Sequence, residues 1–241
     1  MASRVNLGPL TTTFTPPASC STAVLGCTSC TDGWLAQSCG VNTYNSQGVR
    51  DAAACWPPPR ADTVETGVAF NGWGFYSPGL HCPVGYTTAC SATAGVGGGF
   101  MFQFPLVPGE TAYGCCPTGY TCRYDPAVDN GQTCLSTATS GTIPIKSCSS
   151  ARDVSSPAMT LPATFPNPVT TDNRAAAVVS EVTLRAPLFQ LQVQASSSSS
   201  SSSSSAATSS GTPGPTQTGA APPPTGLSTG AAAGVGVACG L

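Results

Sequence analysis

The chain has 241 residues, a formal net charge of -2 and only 7% charged side chains, against about a quarter in an ordinary soluble domain. Its 8 basic and 10 acidic groups create no positive field that would collect phosphates, which argues against nucleic-acid binding. So few titratable groups also argue against a cytosolic enzyme, and solubility falls to hydroxyl groups or attached sugar.

Residues 1–19, rich in Thr and Pro, read as an extended lead-in. Met1 to Phe14 contains no apolar run of the length a secretory signal needs, so a missing upstream segment is expected.

Twelve cysteines follow at Cys20, Cys27, Cys30, Cys39, Cys55, Cys82, Cys90, Cys115, Cys116, Cys122, Cys134 and Cys148. A reducing cytosol rarely supports such density, whereas an even count in a secreted chain reads as a disulfide framework. Six bridges are expected, of no specified connectivity, each stabilising by about 2 to 5 kcal/mol. Gly, Pro, Asn and Asp interrupt this region every few residues, leaving room for turns and short strands but not for long helices.

Several patterns inside it bear on chemistry. Cys27 and Cys30 form a CxxC, but no second CxxC and no strand-to-helix context accompany it, so a structural bridge is expected over zinc or redox work. HCPVGYTTAC (His81 to Cys90) and CCPTGYTC (Cys115 to Cys122) share Cys-Pro-x-Gly-Tyr-Thr. The repeat predicts two similar disulfide-pinned hairpins, each with a tight turn at its Gly. Adjacent Cys115 and Cys116 are expected to reach different partners.

Trp73, Phe75 and Tyr76 in NGWGFYSPG are the candidate ligand platform, with Trp34 and Trp56 in other loops. Core packing is the favoured reading of these rings, because so little other apolar bulk is present. His81, the single histidine, lacks a nucleophile elbow and reads as a loop residue. Gly95 to Phe100 lacks the ending of a phosphate loop and reads as a loop or bulge. Glu110, Asp125 and Asp129 could be imagined as a carboxylate pair or calcium loop, but turn-forming Asp in YDPAVDNG is the simpler account. No catalytic residue, metal site or cofactor is expected.

Beyond Cys148, residues 153–174 read as Pro-rich loop. The clearest strand signal spans Ala176 to Val193: Val178, Val182 and Leu184 alternate with Glu181, Thr183 and Arg185. After Pro187 the apolar set moves to Phe189, Leu191 and Val193, with Gln190, Gln192 and Gln194 opposite. This phase change predicts a bulge, an edge or two consecutive strands, closing the sheet of the cysteine-rich region. Residues 20–194 are therefore taken as one domain.

Residues 195–225 contain ten consecutive serines, Ser196 to Ser205, and the triple proline Pro222 to Pro224. This composition predicts a disordered stalk carrying O-linked sugar. Residues 226–241 (GLSTGAAAGVGVACGL) read as a truncated juxtamembrane or transmembrane-like tail, too short and Gly-rich for a complete span, with Cys239 outside the disulfide count.

NLGPLTTTFTPPASC (Asn6 to Cys20), FYSPGLHCPVGYTTAC (Phe75 to Cys90), ETAYGCCPTGYTC (Glu110 to Cys122) with GQTC (Gly131 to Cys134), APLFQL (Ala186 to Leu191) and TGLSTGAAAGVGV (Thr225 to Val237) form a recurring set. As a set, they resemble uncharacterised ascomycete-type fungal cell-surface proteins. The resemblance implies a cysteine-rich ectodomain, a Ser/Thr-rich stalk and a GLSTGAxAG-type juxtamembrane entry.

The expected fold is a small, disulfide-rich, mainly β and loop ectodomain with a disordered C-terminal region. The expected role is that of a non-enzymatic, O-glycosylated fungal surface or wall-associated protein, in adhesion, wall contact or sensing. The alternative is a secreted carbohydrate-binding or effector-like module. Expected partners are cell-wall polysaccharide or surface proteins, with membrane association through the tail and an extracellular or cell-surface location.

Overall fold

The computed structural model describes residues 4–27, 30–40, 49–63, 74–127, 129, 131–149, 152–154, 158–165 and 177–194. All belong to one unit, Met1–Ser197; the expected stalk and tail lie outside the described residues. The fold is small, mostly β and rich in disulfides, as the composition predicts.

Eighteen strands are described, most only three to six residues long, as frequent Gly and Pro dictate. The first nine are β1 (Asn6–Leu10), β2 (Ala23–Leu25), β3 (Asp32–Trp34), β4 (Gln37–Cys39), β5 (Val49–Asp51), β6 (Phe75–Gly79), β7 (Tyr86–Thr93), β8 (Glu110–Pro117) and β9 (Thr121–Arg123). The remainder are β10 (Thr133–Ala138), β11 (Gly141–Ile143), β12 (Ile145–Ser149), β13 (Arg152–Val154), β14 (Met159–Leu161), β15 (Ala163–Phe165), β16 (Ala177–Val179), β17 (Val182–Pro187) and β18 (Phe189–Gln194). Helical structure among the described residues is confined to two 3-10 turns, Ala18–Ser21 and Ala53–Cys55.

Two sheets organise these strands: a five-stranded one in the order β1-β6-β18-β8-β7, and a seven-stranded one in the order β13-β12-β2-β3-β17-β10-β9. The phase change at Pro187 is the hand-over between them. β17 runs antiparallel to β10 and parallel to β3, while β18 runs antiparallel to β8 and parallel to β6. Of the three readings the sequence left open, two consecutive strands is therefore the outcome, and each strand lies inside its sheet rather than closing it. The lead-in is likewise part of the fold, since β1 pairs with β6 at the edge of the five-stranded sheet. The expected loop at 153–174 contributes β14 and β15 before passing into residues outside the described set.

The main core gathers Leu25, Ala112, Cys116, Cys134, Ile145, Val182, Leu184 and Ala186 from both sheets and Met159 from β14. A second cluster, Leu7, Leu10, Tyr76, Cys115, Phe189 and Leu191, lies on the five-stranded sheet. Alternation along β18 thus places Phe189 and Leu191 in that cluster. The opposite face, expected to be polar, is not solvent-facing: Gln190 and Gln192 are fully buried.

All twelve head cysteines are paired: Cys20–Cys55, Cys27–Cys30, Cys39–Cys148, Cys82–Cys115, Cys90–Cys122 and Cys116–Cys134. Adjacent Cys115 and Cys116 do diverge, to Cys82 and Cys134. The internal repeat corresponds to one turn used twice. Tyr86 N donates to Pro83 O and Tyr120 N to Pro117 O, both at 3.0 Å, with Gly85 (φ 83°) and Gly119 (φ 87°) in the left-handed region that glycine favours. The two copies are then tied through their second cysteines, Cys90 and Cys122.

The expected membrane association is corrected. Among the described residues no helix is long and apolar enough to cross a membrane, and the tail on which that expectation rested lies outside them.

Candidate functional site

A cleft of about 260 Å³ opens where β17 passes to β18, floored by Ala186, Pro187 and Leu188. Trp34 comes to it from the end of β3, Leu35 from the β3–β4 connection, Gln37 from the start of β4, Asp51 from the end of β5, and Trp56 from just beyond the second 3-10 turn. Gln103 and Phe104 enter from the long β7–β8 connection, and Gln132 and Thr133 from the start of β10. The cleft therefore collects two of the chain's three tryptophans, three primary amides and one carboxyl group.

Local backbone geometry delivers Gln37. Ala36 has φ 59°, a left-handed conformation that costs a residue with a Cβ about 1 to 2 kcal/mol. Two backbone bonds hold it: Ala36 N donates to Cys20 O at 3.0 Å, and Ala52 N donates to Ala36 O at 2.9 Å. The chain thereby leaves the seven-stranded sheet after Trp34 and starts the β4–β5 pair, in which Gln37 lies opposite Asp51. Gln37 Nε2 donates to Asp51 Oδ1. Burial pushes the Asp51 carboxyl from an ordinary 3.8 up to about 6, against the opposing pull of that hydrogen bond.

The amide wall is braced by a continuous network. Gln103 N donates to Gln132 Oε1 and Gln132 N to Gln103 Oε1, each at 3.0 Å. Gln132 Nε2 donates to Gln190 Oε1 at 3.1 Å, and Gln190 Nε2 to Phe104 O at 2.8 Å. Thr133 Oγ1 donates to Ala186 O at 2.8 Å, tying the wall to the floor. Fixing these rotamers in advance lowers the entropy that a ligand would otherwise have to overcome.

The indoles are also positioned. The Arg185 guanidinium stands 5.5 Å from the Trp34 ring centroid and pairs with Asp32 at 3.5 Å, while Trp34 stays 40% exposed. Trp56 meets Phe189 edge to face, ring centroids 5.2 Å apart.

At Phe75 and Tyr76 the core-packing reading of NGWGFYSPG applies, and the ligand-platform reading is corrected. Phe75 and Tyr76 lie on β6, between β1 and β18, and are buried at 3% and 1% exposure. Tyr76 Oη donates to Pro57 O at 2.8 Å, and the Arg4 guanidinium covers Phe75 at 4.7 Å. A strand inside a sheet covered on both faces has no ring left for a ligand. Trp73 lies outside the described residues.

The remaining candidates have structural surroundings. Glu110 is buried and accepts two hydrogen bonds from Arg4, at 2.8 and 2.9 Å, and one from Val107 N at 2.9 Å. Desolvation pushes its carboxyl up, but these bonds and the Arg4 charge together hold it below its usual value. Asp125 Oδ1 accepts from Ala127 N at 3.0 Å, and Asp129 Oδ2 accepts from Asp125 N at 2.7 Å, as turn-forming residues do. His81 is exposed in the β6–β7 loop. Gly95 and Gly98 are left-handed turn residues between β7 and β8. Cys27 and Cys30 bond to each other, and among the described residues no group of three or more His, Cys, Asp or Glu is placed to hold a metal ion.

Sequence reasoning noted Trp34 and Trp56 but missed Asp51, Gln103 and Gln132. One usable signal was present, at Gln103 alone: a glutamine inside the apolar run Phe100 to Leu106 needs a buried partner. No protein-family model matches the chain, and neither a curated protein nor a solved structure matches it.

Proposed function

We propose that this chain is a non-enzymatic, extracellular, wall- or surface-associated glycoprotein whose cross-linked head binds an external ligand in the Trp34/Trp56 cleft. The observation that carries this reading is the cleft itself, with fixed amides, a carboxyl group and an accessible indole at the junction of two sheets. Convergent polar groups beside aromatic surface are what a small-ligand site requires. Six disulfides support an oxidising compartment. The serine tract supports an O-glycosylated tether that holds the head away from its attachment. The resemblance to fungal surface proteins points to wall polysaccharide or surface proteins as the setting.

The test uses full-length protein made through a secretory pathway and mixed with isolated fungal wall particles. The expected result is retention of the wild type and loss of retention in Trp34→Ala. Equal retention of both would refute the cleft as the binding site; no retention of either would refute the wall as its partner.

A further inference from the structure

We propose that the cleft takes a single neutral pyranose ring, stacked on Trp34 and hydrogen-bonded at its hydroxyls by Gln103 and Asp51. The inference rests on the reading of the cleft as a ligand site and names the class of ligand.

Size sets the first limit. A cleft of about 260 Å³ lies just below the range of about 300 to 1,000 Å³ that accommodates drug-sized ligands. It holds one ring with its substituents, not a long chain in cross-section.

Charge sets the second. Among the described residues no Lys, Arg or His lines the cleft, and the single ionisable lining group is Asp51. A phosphate or carboxylate ligand would find no counter-charge there, only a carboxyl group that repels it. A quaternary ammonium or amine would be drawn to an indole beside a carboxylate. Here, however, the Arg185 guanidinium, itself paired with Asp32, already holds a cation–π position 5.5 Å from the Trp34 centroid, so that position on the indole is not open to a second cation.

Polarity sets the third. A wholly apolar ligand would strip water from Asp51 and Gln103 and return no hydrogen bonds, which is costly. Gln103 Oε1 is committed to Gln132 N, while its Nε2 makes no hydrogen bond among the described residues. Asp51 Oδ1 is committed to Gln37, which leaves Oδ2 to accept. One free donor and one free acceptor beside an accessible indole match a sugar ring, which has an apolar C–H face and a rim of hydroxyls that both donate and accept. The left-handed Ala36 between Leu35 and Gln37 is a second sign, because backbone strain of this kind persists where surroundings hold a functional geometry.

The experiment titrates the oxidised, full-length protein with glucose, mannose, galactose and N-acetylglucosamine and their trisaccharides, up to about 10 mM. Binding is read by ligand-observed NMR and tryptophan fluorescence. Tetramethylammonium and inorganic phosphate are the competing probes. The expected result is saturable binding of at least one neutral sugar, weakened about tenfold or more in Trp34→Ala and in the near-isosteric Asp51→Asn, with neither ion competing. Both variants are checked for an unchanged circular-dichroism spectrum, and Gln103→Glu stands in should either unfold. Sugar binding that these variants do not alter overturns the site, and binding of tetramethylammonium or phosphate in place of sugar overturns the class. Absence of sugar binding, with wall retention still dependent on Trp34, overturns the sugar inference while the cleft keeps its role. Absence of both overturns the two readings together.

Discussion

Removing the Cys39–Cys148 bridge tests whether loop closure holds the head together. That bridge spans 109 residues, while Cys27–Cys30 spans 3. In the chain-entropy account a loop of about 100 residues stabilises by about 4.7 kcal/mol, and a three-residue loop by about 1.6 kcal/mol. The long loop is partly short-circuited, because Cys82–Cys115 and Cys116–Cys134 lie inside it. The shortest path through them is about 60 residues, which lowers the expected value only to about 4.3 kcal/mol, since the dependence is logarithmic. Packing acts in the same direction. Cys148 is buried with Val24 and Val49, so deleting its sulfur also leaves a cavity, whereas Cys27 is exposed. Cys39→Ala/Cys148→Ala should therefore lose about 3 kcal/mol more than Cys27→Ala/Cys30→Ala. Urea unfolding of the oxidised proteins, followed by tryptophan fluorescence and extrapolated to zero denaturant, reads the difference. A difference below about 1 kcal/mol, or one of opposite sign, would show that neither loop length nor burial governs the contribution of these bridges.

Two further outcomes follow from particular atoms. Gly114 faces the Cys90–Cys122 bridge, and a Cβ there would sit 2.5 Å from Cys90 Sγ and 3.1 Å from Cys122 Sγ. Gly114→Ala should cost about 1 to 3 kcal/mol by overpacking, and an unchanged melting temperature would refute that crowding. Asp51 gives a pH dependence of definite sign. Its folded carboxyl binds a proton more tightly than the unfolded one, so its contribution is full below 3.8 and is lost as pH rises through about 6. The displacement corresponds to about 3 kcal/mol as an upper figure. Urea midpoints measured across that window should fall more steeply for wild type than for Asp51→Asn, and parallel slopes would sink the assignment.

Local pattern in the sequence was enough to place the disulfide-rich β class, the divergence of Cys115 and Cys116, and the interruption at Pro187. Each depends on nearest neighbours: Cys density, the geometry of adjacent cysteines, the alternation of Phe189, Leu191 and Val193. The site depends instead on long-range pairing. Asp51 and Gln37 meet because β4 pairs with β5, while Gln103, Gln132 and Gln190 meet across 29 and 58 residues of chain. No local signal encodes that. The platform reading of NGWGFYSPG, ranked below core packing, does not hold at Phe75 and Tyr76 for a related reason. Gly and Pro in NGWGFYSPG read as a turn, yet β6 is extended with Pro78 inside it, one residue from its end. Only the positions of β1 and β18 on either side reveal that its rings are covered.

The fully buried Gln190 helps explain how so sparsely charged a chain can fix a polar cleft at all. A buried ion pair must recover a large desolvation cost, whereas an amide offers donor and acceptor together and is satisfied by neutral partners. Of the four ion pairs among the described residues, Arg4–Glu110 is the most buried; in Arg60–Asp62, Arg123–Asp129 and Arg185–Asp32 at least one partner is well exposed to solvent, where such pairs contribute little. The Gln103–Gln132–Gln190 network therefore performs the positioning that ion pairs perform elsewhere, and does so without introducing charge into the cleft. Among the described residues that neutrality leaves Asp51 as the only ionisable lining group, and it is the ground for proposing a polyhydroxylated, uncharged ring rather than an ion.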